Sequence, residues 1–358
     1  MANNKNCINN FRLPAEWEPQ SGIQLTWPHA NTDWKPYLED ITKVFVNMAK
    51  VITNEELLTV VTPETETVRK QLSKELTAAQ LNNVIFYDID SNDTWARDHA
   101  PLTLVSDDKE TCILDFKFNG WGDKFEWTKD NNITSQLNKK GAFNSGYECD
   151  TDFVLEGGSI ESDGKGSIFT TTFCLMAEHR NQPLTREEIE ERLLKSLHAK
   201  RIVWLDYGQL IGDDTDGHID TIVRLAPNDT IVYNGCDDES DEQYNDFNSL
   251  EEQLRQLKTL DGEAYNLLRL PMPDAIYDDG ERLPATYANF VITNKSVICP
   301  TYSQPIKDNI AMKVLQRAFP NHNIVGIDAS VVIKQHAYSF PSLYLDNAGN
   351  GHQHIHRI

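Results

Sequence analysis

No run of about 18 apolar residues occurs in this 358-residue chain, which excludes a transmembrane helix and any role that needs one. The opening MANNKNCINNFRLPAEWEPQ is polar and has no apolar core of the signal-peptide kind, so a cytoplasmic location is expected. No C-x-x-C pair occurs and the six cysteines follow no short disulfide framework; they read as free thiols of a reducing compartment. No glycine-rich phosphate loop follows a strand, which disfavours nucleotide binding. Basic residues are few: 33 Lys and Arg stand against 55 Asp and Glu, a net charge of −22. Without a basic patch, nucleic acid is excluded as a partner. The acidic balance would instead concentrate a cationic substrate, although it serves solubility as well. No Gly/Ser-rich or Pro-rich linker interrupts the chain, and residues 1–358 read as one domain.

What is present is a mixture of strand and helix patterns throughout. Residues 37–52 (YLEDITKVFVNMAKVI) carry apolar side chains at helical spacing, and LLTVVTP (57–63) follows as a buried strand. A helix is predicted over 65–81 and a strand over 83–89. Thr185 and Glu188 form a capping-box signature at the head of a helix over 185–198, which leads into the strand RIVWLDY. Further helices suit 248–260 and 306–318. Hairpins are predicted at 159–170, turning at Asp163-Gly164, and at 221–234, turning at Pro227-Asn228-Asp229. Strand, strand, helix, strand therefore recurs, the pattern of an α/β fold with mixed sheets.

Four short segments concentrate carboxylates, histidine, aromatics and glycine at strand ends: NDTWARDHAPL (92–102), NGWGDKFEW (119–127), LEGGSIES (155–162) and GDDTDGHIDTIVRL (212–225). Any one of them alone would pass as an ordinary turn. Together, Asp98, Glu156, Asp220 and His218 offer three carboxylates around one imidazole. Two guests suit that set. A divalent metal on Glu156, His218 and Asp220 would make a metallohydrolase, but no second H-x-D completes a cluster. A guanidinium, planar with five donors in a fixed fork, is matched by two carboxylates gripping opposite edges. Trp95 and Trp121 would then wall the site and pack on the flat cation or its alkyl tail.

These segments also resemble, in order and nearly end to end, the agmatine deiminases and the related bacterial-type peptidylarginine deiminases of the guanidino-group modifying superfamily. The resemblance rests on LPAEWEPQSGIQLTWPH (13–29), TWARDHAP (94–101), NGWGDK (119–124), EGGSIESDGKGSIFTTTFCL (156–175), GHIDTIVR (217–224), LPATYANFVITNKSVICPTY (283–302) and IVGIDASVVIKQH (324–336). It implies a five-bladed α/β-propeller of ββαβ units, the pentein fold, around a central cavity. It implies hydrolysis of a guanidinium to a ureido group, which for agmatine gives N-carbamoylputrescine and ammonia on the way to putrescine. In such enzymes a Cys thiolate attacks the guanidinium carbon and a His serves as acid and base. Carried over, Asp98 and Asp220 would hold the guanidinium nitrogens, Glu156 would stabilise charge, and His218 would move the proton. The expected partner is a small cationic guanidine, with no cofactor and no metal, and a homo-oligomer is compatible. Peptidyl-arginine or another small guanidine is the alternative substrate.

The pattern breaks at the C-terminus. The family carries its Cys in a loop reading roughly G-x-L-H-C, which should begin after His336, yet residues 337–358 (AYSFPSLYLDNAGNGHQHIHRI) hold no cysteine. Of the six cysteines, Cys299, Cys174 and Cys112 sit in apolar runs and read as core, Cys7 and Cys149 lie in polar stretches, and Cys236 is the least unsuitable substitute. Without a nucleophile the chain would bind guanidines through Asp98, Glu156 and Asp220 without turnover. His352, His354 and His356 alternate like a metal tract, but three histidines at a chain end favour adventitious affinity over a built site. The tail instead reads as a frame-shifted version of the normal ending. Permitted codons for 340–349, moved by one nucleotide, spell Phe-Leu-His-Cys-Ile-Leu-Thr-Met-Gln. Sequencing the coding DNA across codons 334–358 is expected to show Leu-His-Cys in the neighbouring frame; its absence there rejects the frame-shift hypothesis.

Overall fold

The computed structural model describes residues 10–335 and the backbone of 343–345. Within them, five sheets share one plan: an antiparallel strand pair, a helical crossover, and a third strand parallel to the second. Parallel neighbours need such a crossover because their ends lie at opposite edges of the sheet. In one sheet, Leu102–Ser106 pairs with Thr111–Lys117, and Gly146–Val154 returns in parallel after the helix Ile133–Lys139. The next uses Ile160–Ser162, Ser167–Thr171, the helix Arg186–Ser196 and Arg201–Leu205. Val223–Ala226, Thr230–Gly235, the helix Tyr244–Gln256 and Asn266–Pro271 make a third. Val291–Ile292, Ser296–Thr301, the helix Pro305–Ala318 and Asn323–Asp328 make a fourth.

The remaining sheet joins the two ends of the chain. Gly22–Thr26 runs parallel to Leu57–Thr62 across the helix Leu38–Ile52, and Val84–Asp88 adds a parallel fourth strand. Its antiparallel edge is Leu343–Leu345, in register with Gly22–Gln24. A two-stranded hairpin, Ile276–Asp278 with Glu281–Leu283, is inserted between the third and fourth sheets.

The helix Leu38–Ile52 shows why these elements form. Ile41, Val44, Phe45, Met48, Ala49 and Ile52 are buried on one stripe, the 3.6-residue period of a helix laid on a sheet. The capping box at Thr185 is present: Thr185 accepts from the Glu188 amide and Glu188 accepts from the Thr185 amide. Both expected hairpins form. Asp163 accepts from the amides of Lys165 and Ser167 at 2.7 and 2.8 Å, and Asn228 and Asp229 take left-handed φ angles of 61° and 52°.

Two expectations are corrected. The helix predicted over 65–81 is two, Thr65–Glu75 and Ala78–Leu81, because Leu76 turns extended and Thr77 with Gln80 makes a second capping box. That T-x-x-Q signature was legible in the sequence. Cys112 is disulfide-bonded, whereas Cys149, Cys174, Cys236 and Cys299 are free thiols, so the reading of six free thiols fails at Cys112. No helix among the described residues is long and apolar enough to cross a membrane.

The repeat also sets where polar chemistry can sit. Three of the four sequence-marked segments immediately precede the first strand of a sheet: 92–101 before Leu102, 155–159 before Ile160, and 212–222 before Val223. Each is a connection between one sheet's last strand and the next sheet's first. Equivalent positions in the repeat thus deliver different side chains to one place.

Candidate active site

Asp98, Glu156, His218 and Asp220 are all brought together, and none is more than 2% exposed. His218 is the centre: Nδ1 lies 3.5 Å from Asp98 Oδ1, and Nε2 lies 3.8 Å from Glu156 Oε2. Each residue is held by its own local device. Asp98 rides the single helical turn Ala96–His99. Glu156 precedes a tight turn whose Ser159 hydroxyl and amide both donate to the Glu156 carbonyl, at 2.6 and 3.1 Å. His218 follows a loop folded around Asp213, which accepts from the Thr215 and Gly217 amides. Gly217 adopts φ +87°, the left-handed region that glycine enters without steric penalty.

Trp121 takes part more directly than a wall would. Its indole Nε1 donates to Asp98 Oδ2 at 3.0 Å, while the Gly158 amide donates to Asp98 Oδ1 at 3.0 Å. To aim that indole the chain runs through four successive positive φ angles, Gly120 to Asp123, with Trp121 at φ 55°, ψ 45°. A non-glycine residue there costs on the order of 1–2 kcal/mol, which the indole donor and ring packing offset. Trp95 stands one layer out, packed against both Trp34 and Trp121 at 5.6 and 6.4 Å between ring centroids.

Residues that the sequence reading passed over complete the site. Arg180 Nε is 2.8 Å from Glu156 Oε1, its Nη1 donates to Asp216 at 2.7 Å, and its Nη2 donates to the Thr215 carbonyl at 2.8 Å. It thereby ties Glu156 to the loop that carries His218. Arg97 Nε is 3.2 Å from Asp220 Oδ2. Arg97 and Arg224 also share the buried carboxylate of Glu161 and the partly buried one of Glu16. Arg97 and Arg224 lay inside the recognised motifs; Arg180, in an unremarkable loop, had no sequence signal. Cys174 is corrected from plain core: its Sγ is 3.9 Å from Glu156 Oε2, and it adjoins His218. Cys236, the suggested substitute nucleophile, directs its thiol to the Asp238 carbonyl at 3.8 Å, and burial raises its pKa. The metal trio Glu156, His218 and Asp220 is not the one assembled among the described residues; the atoms within 4.8 Å of one another belong to Glu156, Cys174 and His218.

The electrostatics follow from burial and pairing. Burial works against a charged His218, yet Asp98, the Cys174 thiolate form and Glu156 outweigh it and raise its pKa well above the usual range. Burial also pushes Glu156 upward, but Arg180 and His218 more than reverse this, so it stays ionised. Asp98 is raised by burial and by Glu156 in spite of His218 and Trp121. Burial lifts Asp220 to about 6 against Arg97 and His218. Ionising Asp220 in place is therefore costlier than in water. Its Oδ1 has no hydrogen-bond partner among the described residues. A cationic guest that donates there would recover that cost.

Gly158 keeps the space open. A Cβ at this position would lie 2.5 Å from His218 Nδ1, 2.6 Å from Asp98 Oδ1 and 3.0 Å from Asp220 Oδ2. The constraint is contact with three functional groups, since its φ is not left-handed.

Comparison with known proteins agrees with this architecture. A Porphyromonas gingivalis protein, described provisionally as an arginine deiminase, superposes with TM-score 0.87 at 42% identity, covering 94% of this chain and 98% of its own. A cysteine-to-serine variant of C. jejuni agmatine deiminase with substrate bound gives TM-score 0.84 at 36% identity, covering 93% and 96%. A Marinomonas sp. MWYL1 protein with a provisional agmatine deiminase name is 31% identical over 348 residues, 91% of each chain. These relatives are guanidino-group deiminases by name, and their architecture is consistent with the pentein fold. Residues 12–338 match the Porphyromonas-type peptidyl-arginine deiminase family, and the chain belongs to it.

Gly158→Ala tests the geometry. The added methyl is expected to weaken binding of a small guanidine at least about tenfold by calorimetry while the fold is retained; unchanged affinity would place the binding site elsewhere.

Proposed function

We propose that the chain takes agmatine as its guanidine and hydrolyses it to N-carbamoylputrescine and ammonia, a step toward putrescine. The observation that carries this reading is the pair of buried carboxylates Asp98 and Asp220 around Gly158, with an unpartnered oxygen on Asp220 among the described residues. The C. jejuni protein, an agmatine deiminase with substrate bound, supports the choice of agmatine over peptidyl-arginine. On this reading the five repeated sheets are five blades around a central cavity, with the site segments on their inner connections.

The proposed chemistry follows from the charges. A guanidinium stays protonated at any working pH, so it is bound as a cation and then attacked. Asp98 and Asp220 grip its nitrogens, and Trp121 keeps Asp98 aimed. Trp95 backs the Trp121 ring. Glu156, kept ionised by Arg180, stabilises positive charge beside the reacting carbon. Where a thiolate has attacked the guanidinium carbon, as the family resemblance implies, the His218 imidazolium would give its proton to the departing ammonia, and the neutral ring would take one from the water that hydrolyses the amidino-cysteine. In the family that intermediate forms on a cysteine. This sequence has none after Cys299, and the expected position, after His336, lies outside the described residues, as does the frame-shift reading of 337–358. Turnover therefore separates two readings, deiminase and guanidine-binding scaffold.

Product mass spectrometry after incubation with agmatine decides between them: N-carbamoylputrescine selects the deiminase and requires one of the six cysteines or an activated water as nucleophile. Binding without product would select the scaffold reading, and neither binding nor product would reject both. The pH dependence of binding has a definite sign. Asp220 accepts the cation only when ionised, so affinity is expected to level off above about pH 6 and to fall about tenfold per pH unit below it. Calorimetry on both sides of that pH checks this, and a flat profile would remove Asp220 from the contact.

A further inference from the structure

The assembled trio that the sequence did not predict has a chemistry of its own. Glu156 Oε2 faces two atoms at once, His218 Nε2 at 3.8 Å and Cys174 Sγ at 3.9 Å. All three ligand atoms lie within 4.8 Å of one another, and all three residues are fully buried. Neither His218 ring nitrogen has a hydrogen-bond partner among the described residues. Both nitrogens meet carboxylates only at ion-pair distance, 3.5 Å to Asp98 and 3.8 Å to Glu156, which leaves a ligand position open on the Glu156 side.

From these distances we propose that Glu156, Cys174 and His218 capture a thiophilic divalent cation of the Zn2+ or Cd2+ kind, on the Glu156 side of His218, away from Asp98 and Asp220 but sharing that histidine with the guanidine site. Tetrahedral zinc holds its S, N and O ligands roughly 3.3–3.7 Å apart, given metal–ligand bonds of about 2.0–2.3 Å. Two of the three separations need to close by only a few tenths of an ångström. The surroundings suit a metal as well. His218 Nδ1 faces Asp98 Oδ1 at 3.5 Å, which places a carboxylate behind the imidazole, as in carboxylate–histidine–zinc arrangements. The second oxygen of Glu156 is already occupied by Arg180, leaving Oε2 as the ligand atom. Arg180 itself is neutralised by Asp216 as well as by Glu156, so its charge opposes the cation less than its position suggests.

Capture is a proton exchange. The cation bonds to the thiolate, the neutral imidazole and the carboxylate, and displaces one proton from the Cys174 thiol and one from the His218 imidazolium. Affinity therefore rises with pH. The bound cation occupies the nitrogen nearest Glu156, so a loaded chain cannot use His218 as an acid.

The test is a Cd2+ titration of the full-length chain, read by the ultraviolet sulfur-to-metal charge-transfer band, and it needs no turnover. One equivalent of Cd2+ is expected to raise the band, Zn2+ to compete it away, Cys174→Ser to abolish it, and Cys149→Ser to leave it unchanged. The histidine-rich tail has no sulfur and cannot produce this signal. Should Cys174→Ser fail to fold, Glu156→Gln, which keeps the side-chain shape and removes the anionic ligand oxygen, is expected to weaken Cd2+ binding at least about tenfold in the same titration. No band, a band that survives Cys174→Ser, or unchanged Cd2+ affinity in Glu156→Gln would overturn the proposal.

Discussion

The imidazolium of His218 lies between two buried carboxylates, and the site depends on that contact. A carboxylate or an imidazolium taken from water into the interior loses several kcal/mol of solvation, so none of these groups could stay charged alone. Asp98 on one ring nitrogen and Glu156 on the other hold the proton on His218; His218 and Arg180 together keep Glu156 ionised. Removing any member leaves an uncompensated charge. The three segments that meet here come from three connections of the repeat and are joined by these charges and by hydrogen bonds such as that from the Gly158 amide to Asp98.

Around that centre a wider set of charges fixes position. Arg180 joins Glu156 to the loop before His218, and Arg97 joins Asp220 to Glu16 and Glu161, which Arg224 also engages. Guanidinium side chains suit this task because their forked donors satisfy two acceptors at once and stay charged when buried. The protein thus recognises guanidinium groups of its own with the same carboxylate chemistry proposed for its guest. Asp220 shows the difference between the two uses: one oxygen is taken by Arg97, and the other has no partner among the described residues.

The acidic net charge and the site agree in sign. A surplus of carboxylates at the surface draws cations toward the molecule, and the buried carboxylates reward one that fits. The same composition that excluded nucleic acid therefore favours a small cation, and it suits the Glu156–Cys174–His218 trio as a metal trap for the same reason.

The sequence by itself determined the elements and most of the named chemistry. Alternating and 3.6-residue apolar patterns placed strands and helices, Thr185 and Glu188 marked a helix start, and four motif segments, each an ordinary turn alone, together singled out Asp98, Glu156, His218 and Asp220, which the fold brings into contact. Only the tertiary structure decided which groups meet. Arg180 is 24 residues from Glu156 and Cys174 is 44 from His218, separations with no periodicity to read. Their contacts arise because successive sheets deliver their connections to one place. The need for Gly158 was likewise invisible, since its constraint is not its own backbone but three side chains from two other segments. A sequence pattern reports local propensity and burial; which buried charge is balanced by which partner is settled only when distant segments share one low-dielectric space.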